Sequence, residues 1–191
     1  MRYEADHKKK THRRIVASAS RQLRAKGLNG PGIAKLMKAS GLTHGGFYKH
    51  FRSRDELIAE AVEESLRDVR ERFFLIAKQA PPGEGWKEIV KKHLSLEHCD
   101  RPDMGCPIAA LAPDIGRSSA AVRKLIAANM KNHREKVLPF MPGRNRQEQE
   151  RNFMIIVTAM TGAVSVARIM PDVADKQKIL NAVRDHLLAS F

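Results

Sequence analysis

Apolar residues recur every three or four positions from near the start of the chain, which is the period of an amphipathic helix. The first such stripe predicts a helix over residues 8–26 that Gly27 ends, because glycine favours helix C-termini. A second, short helix follows the breaker cluster at residues 29–32 and ends near Gly41. The apolar positions of the two helices are Ile15, Val16, Ala19, Leu23, Ile33, Leu36 and Met37.

A third short helix is predicted over residues 44–51, with Thr43 as its N-cap, accepting a backbone N–H. Two short helices joined by a turn of about three residues that contains glycine have the form of a helix-turn-helix. Phe47 and Phe51 lie four positions apart on one face of the third helix. We therefore expect both rings to fill the core of a three-helix unit.

A long amphipathic helix begins where Ser53 and Glu56 form a capping box, and it runs to about Gln79. Five further helices bring the predicted count to about nine, with no convincing strand. They are expected over residues 86–98, from Pro107 onward, and over residues 120–141, 153–170 and 175–191. The pattern predicts an all-α fold with a helix-turn-helix domain at residues 1–56, joined by the long helix to a second helical domain at residues 57–191.

Composition agrees with a helical protein of one or two small domains. Apolar residues make up 42% of the chain but aromatic residues only 5%, a balance that suits helices better than sandwiches or barrels. Cys99 and Cys106 are too few for a disulfide scaffold and fit a reducing compartment. The longest uncharged run is shorter than the roughly 20 residues that span a bilayer. We expect a cytoplasmic protein without a membrane segment.

Positive charge is concentrated at the N-terminus. Residues 1–56 hold 14 Lys and Arg against four acids, whereas residues 57–191 hold 21 against 17. This asymmetry indicates a part dedicated to a polyanion and a nearly balanced remainder. The alternative, a basic surface kept for solubility, is open on charge alone.

The third helix has features of a helix that enters the major groove of DNA. Gly45 and Gly46 each cost roughly 1 kcal/mol relative to Ala in a helix interior, so something must offset that cost. Close approach of the backbone to base edges is one explanation, and packing against the first helix is the other. If the backbone does approach the base edges, hydrogen-bond donors on the side chains of this helix can reach bases and phosphates.

The segment around this helix has a specific pattern that extends over about 30 residues. Its centre reads Gly41-Leu42-Thr43-His44-Gly45-Gly46-Phe47-Tyr48-Lys49-His50-Phe51. It is preceded by Ile33 and Leu36-Met37-Lys38-Ala39 and followed by Ser53-Arg54-Asp55-Glu56-Leu57. The segment resembles the signature of TetR-family bacterial transcriptional regulators. Beyond about residue 60 the chain resembles the family only in helical layout.

The resemblance implies an all-helical homodimer, typically a repressor, whose C-terminal domain binds a small molecule that releases the operator. It implies backbone contacts to DNA from Tyr48 and His50 and a phosphate contact from Arg54, where relatives usually have Lys. It also implies that the part of the helix that contacts bases, with the positions beside it, is formed by Thr43, His44, Gly45, Gly46 and Lys49. Two departures affect these expectations. Pro31-Gly32 stands where relatives often have a capping Ser or Thr that touches phosphate, and Arg54 offers a planar fork rather than a point donor.

Residues 153–170 are apolar on almost every side, and one small domain cannot cover both faces. We assign one face to a second subunit, with the last helix completing a four-helix bundle about a two-fold axis. A helix at the centre of its own domain is the alternative. The predicted interface residues are Phe153, Val157, Met160, Ala163, Val164, Ala167, Val183 and Leu187. A two-fold protein implies a near-palindromic double-stranded operator.

The middle helices are expected to enclose the effector site if the family architecture holds. Candidate lining residues are Phe73, Trp86, Val90, His93, Met104, Cys106, Ile108, Leu111 and Met130. Each could equally be ordinary core. Cys106 is the most informative, because it precedes Pro107 at a helix start, where free N–H groups would lower the pKa of a thiol. A thiol sensor of electrophiles or oxidants is therefore an alternative to small-molecule release.

Other chemistries have weaker support in the sequence. His93, His98, Cys99 and Cys106 match no common zinc spacing, so no metal and no cofactor are predicted. A Cys106–His93 nucleophile pair lacks a third orienting group, so no enzymatic activity and no catalytic residue are predicted. A membrane-surface role for the first helix conflicts with the need for its apolar face to cover the next two helices.

Overall fold

The computed structural model describes residues 2–191, and side chains from residue 6 onward. The fold is all-helical, with no strand in the described residues, so the predicted class and the count of about nine α-helices are confirmed. The α-helices are α1 (Arg2–Lys26), α2 (Ile33–Lys38), α3 (Arg54–Gln79), α4 (Gly85–His93), α5 (Leu96–Asp100), α6 (Pro107–Gly116), α7 (Ala120–Val137), α8 (Arg146–Ala167) and α9 (Val173–Ser190). Two 3₁₀ helices cover His44–Lys49, named the recognition helix below, and Leu138–Phe140.

The start of α3 follows the predicted capping chemistry. Ser53 Oγ accepts a hydrogen bond of 3.1 Å from the N–H of Glu56 at the start of α3. The Glu56 carboxylate in turn accepts the N–H of Arg52 at 2.6 Å. Asn145 and Asp172 cap α8 and α9 in the same way, so polar residues define the ends of the longer helices.

Three boundaries differ from the sequence prediction. The third helix is 3₁₀ rather than α, as short helices often are. The segment predicted over residues 86–98 is divided into α4 and α5, because Leu94 leaves the helical conformation and Ser95 caps a new helix. The helix expected from Phe153 begins at Arg146, where Asn145 supplies the cap.

One hydrophobic core lies between α1, α2, the recognition helix and the first half of α3. Leu111, Val122 and Ile126 of α6 and α7 also enter this core. Its other buried members are Ile15, Val16, Ala19, Leu23, Leu28, Leu36, Met37, Phe47, Phe51, Leu57, Ile58, Ala61, Val62 and Leu66. The core continues past residue 56, and the domain boundary at that position stays a prediction.

A second core lies between α4, α8 and α9 and the end of α3. It includes Trp86, Ile89 and Ile156 together with one face of α8. α6 lies between the two cores: the carbonyl of Ala109 near its start accepts a hydrogen bond from Ser165 Oγ of α8 at 3.2 Å. Near its other end, α6 contacts the α1–α2 loop. None of the described helices is long and apolar enough to cross a membrane.

Candidate nucleic-acid interface

The recognition helix is held by two aromatic rings. Phe47 and Phe51 are 0% and 2% exposed, and their ring centroids lie 5.4 Å apart. The prediction that they fill the core is confirmed. Because the apolar residues of the helix point inward, the remaining residues face outward. The helix is therefore fixed to the protein by one side and presents the other to solvent.

The residues predicted to bind DNA are all at or near the surface. Thr43, His44, Gly45, Tyr48 and Lys49 are exposed, and Tyr48 is 66% exposed. Gly46, His50 and Arg54 are partly buried. A tyrosine that is exposed to this extent contributes little to the packing of the protein, so its ring and hydroxyl are available to a partner.

Gly45 has no structural reason within the chain. A Cβ built on it would meet nothing within 4 Å, and its φ is not positive. A Cβ on Gly46 would lie 3.7 Å from Met37 Cε, which is ordinary contact. The packing explanation for the glycine pair therefore fails at Gly45. An external surface that approaches the backbone there is the remaining explanation.

Thr43 does not cap the recognition helix, so that prediction is wrong. Its side chain accepts no capping hydrogen bond, and the N–H of Gly46 instead bonds to the Thr43 carbonyl at 3.1 Å. The tighter 3₁₀ turn satisfies the backbone without the side chain. The Thr43 hydroxyl is left at the surface. Gly32, the N-cap of α2, also lacks a side-chain cap, as the sequence indicated.

His50 sits in a cationic environment. Burial, followed by the charges of His12 and Lys8, lowers the pKa of His50, so its imidazole is neutral at neutral pH. His12, which the sequence analysis did not single out, stacks on Phe51 with centroids 4.5 Å apart and bonds to Glu60 at 2.7 Å. A neutral His50 would meet a phosphate by hydrogen bonding rather than by charge.

Arg54 has a structural contact as well as surface exposure. Its Nη2 donates to the carbonyl of Leu28 in the α1–α2 loop. The guanidinium has five donors in a fixed fork, so one internal bond leaves others for a phosphate. Around these residues the surface is basic: the exposed cations are Lys8, Lys9, Lys10, Arg13, Arg14, Lys35, Lys38, Lys49 and Arg52. Such a surface attracts a polyanion.

A cavity of about 590 Å³ lies behind this unit, between α3, α4, α7 and α8. Five of the candidate lining residues do line it: Phe73, His93, Cys106, Ile108 and Met130. Trp86, Val90 and Leu111 do not, because they are buried in the two cores. Met104 lines a separate cleft of about 210 Å³. The middle helices therefore contain a cavity that part of the candidate set lines, and its role as the effector site stays a prediction.

Cys106 is not activated by its position at a helix start. Burial raises the pKa of the Cys106 thiol and outweighs the backbone N–H groups of Ile108 and Ala109, which act in the opposite direction. The expected lowering is therefore wrong in sign. Burial also raises the pKa of Cys99, and the described residues contain no group of three His, Cys, Asp or Glu side chains placed to hold a metal ion.

The predicted dimer face is the inner face of α8 and α9. Phe153, Met160, Ala163, Val164, Ala167 and Leu187 are buried within the protomer, and Val157 and Val183 are partly buried. These residues pack the second core, so their assignment to a subunit interface is corrected. The opposite face of α8 is the exposed one, with Met154 at 55%, Ile155 at 47% and Val166 at 46% exposed, and Ile169, two residues after the helix ends, is 74% exposed. Thr158 and Gly162 lie on it as well.

Comparison with known protein families gives one match, at the N-terminal unit. The model described as "Bacterial regulatory proteins, tetR family" matches residues 15–61, from the middle of α1 into α3. The chain is 26% identical over 113 residues to the HTH-type transcriptional regulator LmrA of Bacillus subtilis (strain 168). That match covers 58% of this chain and 60% of the curated relative, so it spans less than two thirds of that protein.

Solved structures share the whole fold. A TetR transcriptional regulator from Chloroflexus aurantiacus J-10-FL superposes with a TM-score of 0.76 at 24% identity, covering 96% of this chain and 95% of the other. A TetR-family regulator from Cytophaga hutchinsonii gives 0.73 at 18% identity, covering 96% of each. At these identities the likeness shows a common fold, which extends through α9.

Proposed function

Because this chain belongs to the TetR family of bacterial transcriptional regulators, we propose that it is a repressor that binds a near-palindromic operator as a homodimer and is released by a small molecule. Gly45 carries the DNA-binding part of this proposal, since an exposed glycine on an anchored helix has no role inside the chain. Thr43, His44, Gly46 and Lys49 surround it at the groove. Tyr48, His50 and Arg54 reach the phosphates, and the protein meets its operator in the cytoplasm.

The exposed apolar face of α8 supports the dimer. Ile155, Val166 and Ile169 form a strip of large apolar side chains that water contacts in the isolated protomer. Gly162 between them allows a second helix to approach closely. A second copy of this chain packed on the same face would bury the strip and place two recognition helices on one side of the assembly. Two identical half-sites then give the operator its symmetry.

α6 supports effector release, because it contacts both the cavity and the DNA-binding unit. Cys106 and Pro107 at its start line the cavity. Asp114 near its end bonds to the α1–α2 loop. Arg24 of α1 is buried and donates to the carbonyl of Gly105 at 3.0 Å, just before α6 begins. A molecule that displaces the start of α6 would thus shift the unit that carries the recognition helix.

Thiol sensing has less support than small-molecule release, because the Cys106 thiol is buried and its pKa is raised.

The test is a selection of genomic fragments that the full-length protein binds, followed by footprinting. We expect a protected site with two-fold symmetry and an affinity that falls roughly 10³- to 10⁵-fold between about 50 and 200 mM salt if six to ten phosphates are contacted. Small molecules are then screened for release of the recovered site. Binding with the same salt dependence but no sequence preference would indicate a general DNA-coating protein and refute the proposal.

A further inference from the structure

The cavity carries charge of one sign. Its lining contains three cationic side chains, those of Arg70, Lys131 and Arg134, and no aspartate or glutamate. Apart from His93, His133 and Cys106, the remaining lining residues are apolar. A lining of this kind favours a molecule with a large apolar body and a negative group, and it disfavours a cation.

The charges are placed at one end of the cavity. Lys131 and Met130 of α7 and Met154 of α8 are exposed, so they mark the mouth. Arg134 lies three positions from Lys131 on α7, and Arg70 is close enough to His133 of the same helix for its charge to act on that imidazole. The deep end is formed by buried residues that are mainly apolar, such as Ile89 and Met160, with the uncharged polar groups of His93 and Cys106 among them. The cavity is therefore amphipathic, with a basic mouth and an apolar interior.

Two of the three cations lack an acidic partner. Arg134 pairs with Glu135 at 3.0 Å, and Glu135 also binds Arg146 at 2.6 Å. Arg70 and Lys131 form no salt bridge with any side chain that the structure describes. Their charge is available to an anion that enters the mouth, where a charge-assisted hydrogen bond is stronger than a neutral one.

Polar atoms beside the mouth also lack partners. His133 Nδ1 and Arg134 Nε are buried and have no hydrogen-bond partner among the described residues. Burial, and then the charge of Arg70, lowers the pKa of His133 to about 4, so its imidazole is neutral at neutral pH. Buried polar atoms of this kind are rare in proteins and are commonly satisfied by a ligand or water. They add hydrogen-bonding capacity to the same end of the cavity.

We propose that the effector is an amphipathic anion, a molecule whose carboxylate or comparable acidic head binds Arg70 and Lys131 while its apolar body fills the cavity. This inference rests on the proposed function, because it identifies the class of molecule that releases the operator. Four methionines line the cavity, Met130 and Met154 at the mouth and Met141 and Met160 in the interior. Their flexible side chains adapt to apolar bodies of different shape. The acidic head of the effector, rather than its apolar body, therefore determines which class of molecule binds.

The experiment measures displacement of the uncharged fluorescent probe N-phenyl-1-naphthylamine from the full-length protein. Decanoate and 2-naphthoate are compared with their alcohols, decan-1-ol and 2-naphthylmethanol, and with decyltrimethylammonium. We expect at least one carboxylate to displace the probe at about a tenfold lower concentration than its alcohol. The cation should be the weakest. Comparison of the two carboxylates shows whether a linear or an aromatic body is preferred.

The variants Arg70→Met and Lys131→Met should remove the advantage of the carboxylate and leave displacement by the alcohol within about twofold. Arg70→Lys should retain most of the advantage, because it retains the charge. Lys124→Met is the matched control: Lys124 is exposed on the same helix and does not line the cavity. It should behave as the wild type.

The inference is overturned if the alcohols or the cation displace the probe as well as the carboxylates do, or if no compound displaces it. An equal effect of Arg70→Met on all compounds also overturns it. Operator binding is measured separately on the selected fragment without any of these compounds. If the protein does not bind the operator but carboxylates still displace the probe better than alcohols do, the proposed function is refuted. The cavity would then remain as a binding site for acids.

Discussion

Asp114 of α6 accepts a hydrogen bond of 2.9 Å at Oδ2 from the backbone N–H of Leu28, in the loop that joins α1 to α2. The carbonyl of the same residue, Leu28, accepts from Arg54 of α3. The two peptide groups that flank the Leu28 Cα are thus held by different helices, one by α6, which starts at the cavity, and the other by α3, which follows the DNA-binding unit. Leu28 is also buried in the N-terminal core. We therefore expect movement of α6 to be transmitted to the helix-turn-helix unit through Leu28.

Replacement of Asp114 by alanine should weaken the connection between the two sites. A charge-assisted hydrogen bond to a partly exposed carboxylate contributes on the order of 1 kcal/mol, so the free energy of unfolding in urea should fall by about that amount. Operator binding without effector should persist, while effector-induced release becomes smaller. Both quantities are read from the same preparation, by urea denaturation and by fluorescence anisotropy of labelled operator.

Arg117→Ala controls for the other contact of Asp114, a salt bridge of 2.9 Å to an exposed guanidinium. Surface pairs of this kind contribute little, so this variant should match the wild type in both measurements. If Asp114→Ala leaves release unchanged while Arg117→Ala does not, the backbone contact is not the coupling element.

Substitution of Gly45 by alanine separates DNA binding from stability. No atom within 4 Å opposes a Cβ at this position, and alanine has less conformational freedom to lose on folding. The variant should be as stable as the wild type or more stable by about 0.5–1 kcal/mol. Its affinity for the operator should nevertheless fall, by about tenfold or more, because the methyl group occupies space that the DNA requires. Thermal unfolding and anisotropy titration measure the two effects.

Gly116→Ala is the matched control for Gly45. This glycine also has open space around its Cβ position, but it lies at the end of α6 rather than in the recognition helix. It should leave operator affinity unchanged. An alanine at position 45 that keeps full affinity would show that the backbone of the recognition helix does not approach DNA closely.

Local rules of sequence predicted most of the fold. Capping at Ser53, the inward pair Phe47 and Phe51, and the apolar stripe in the first half of α3 depend on neighbours within a few positions, and each is confirmed. The stripe predicted on α7 is confirmed only in part, because Leu125 and Met130 are exposed. The break at Leu94 and the 3₁₀ form of the recognition helix were not predicted. Both depend on how short segments pack against distant helices, which overrides weak local preference.

The site was harder to predict where burial decides the chemistry. In α8, apolar residues occupy both faces, and periodicity cannot show that Ile156 is buried in the protomer while its neighbour Ile155 is exposed. For Cys106 the sequence showed the helix start but not the depth of burial that dominates the pKa of the thiol. Arg70 and Lys131 were missed because a base beside an apolar stripe gives no signal until the opposing helix is known.

Introducing a charge at Ile169, which extends the exposed apolar strip just past the end of α8, should prevent dimer formation. Ile169→Glu places a carboxylate where 74% of the side chain is accessible in the protomer, so folding should be unaffected. In a two-fold interface each of the two copies would bury one unpaired carboxylate, which is strongly unfavourable. Sedimentation equilibrium at micromolar concentration should show a monomer with native circular dichroism and a weakened operator affinity.

Leu75→Glu on α3 serves as the control for this variant, because Leu75 is 65% exposed and lies outside α8. It should remain dimeric. If Ile169→Glu sediments as a dimer, or if the wild type is already a monomer, the face of α8 is not the interface.

Acid should destabilise the protein through His98. Burial, and then the charges of Arg168 and Arg72, lowers the pKa of His98 to about 3, while its Nε2 accepts the N–H of Cys106 at 3.1 Å. In the unfolded chain the pKa of a histidine is about 6.5. Below that pH the unfolded state binds a proton that the folded state does not, so stability is full above about pH 6.5 and falls as the pH decreases.

Urea unfolding between about pH 7.5 and 5.5 should therefore show a contribution from His98 of about 1.4 kcal/mol, lost toward the acidic end. His98→Gln retains an acceptor for the Cys106 N–H but has no proton to gain, so its stability should depend less on pH by that amount. His186→Gln replaces an exposed histidine of α9 and should keep the wild-type slope. If His98→Gln does not fold, the prediction is tested by NMR on the wild type. The imidazole resonances of His98 should then show no titration above about pH 5.5. If His98 gains its proton near pH 6.5 in the folded protein, its imidazole is not buried between α5 and the start of α6 as the structure has it.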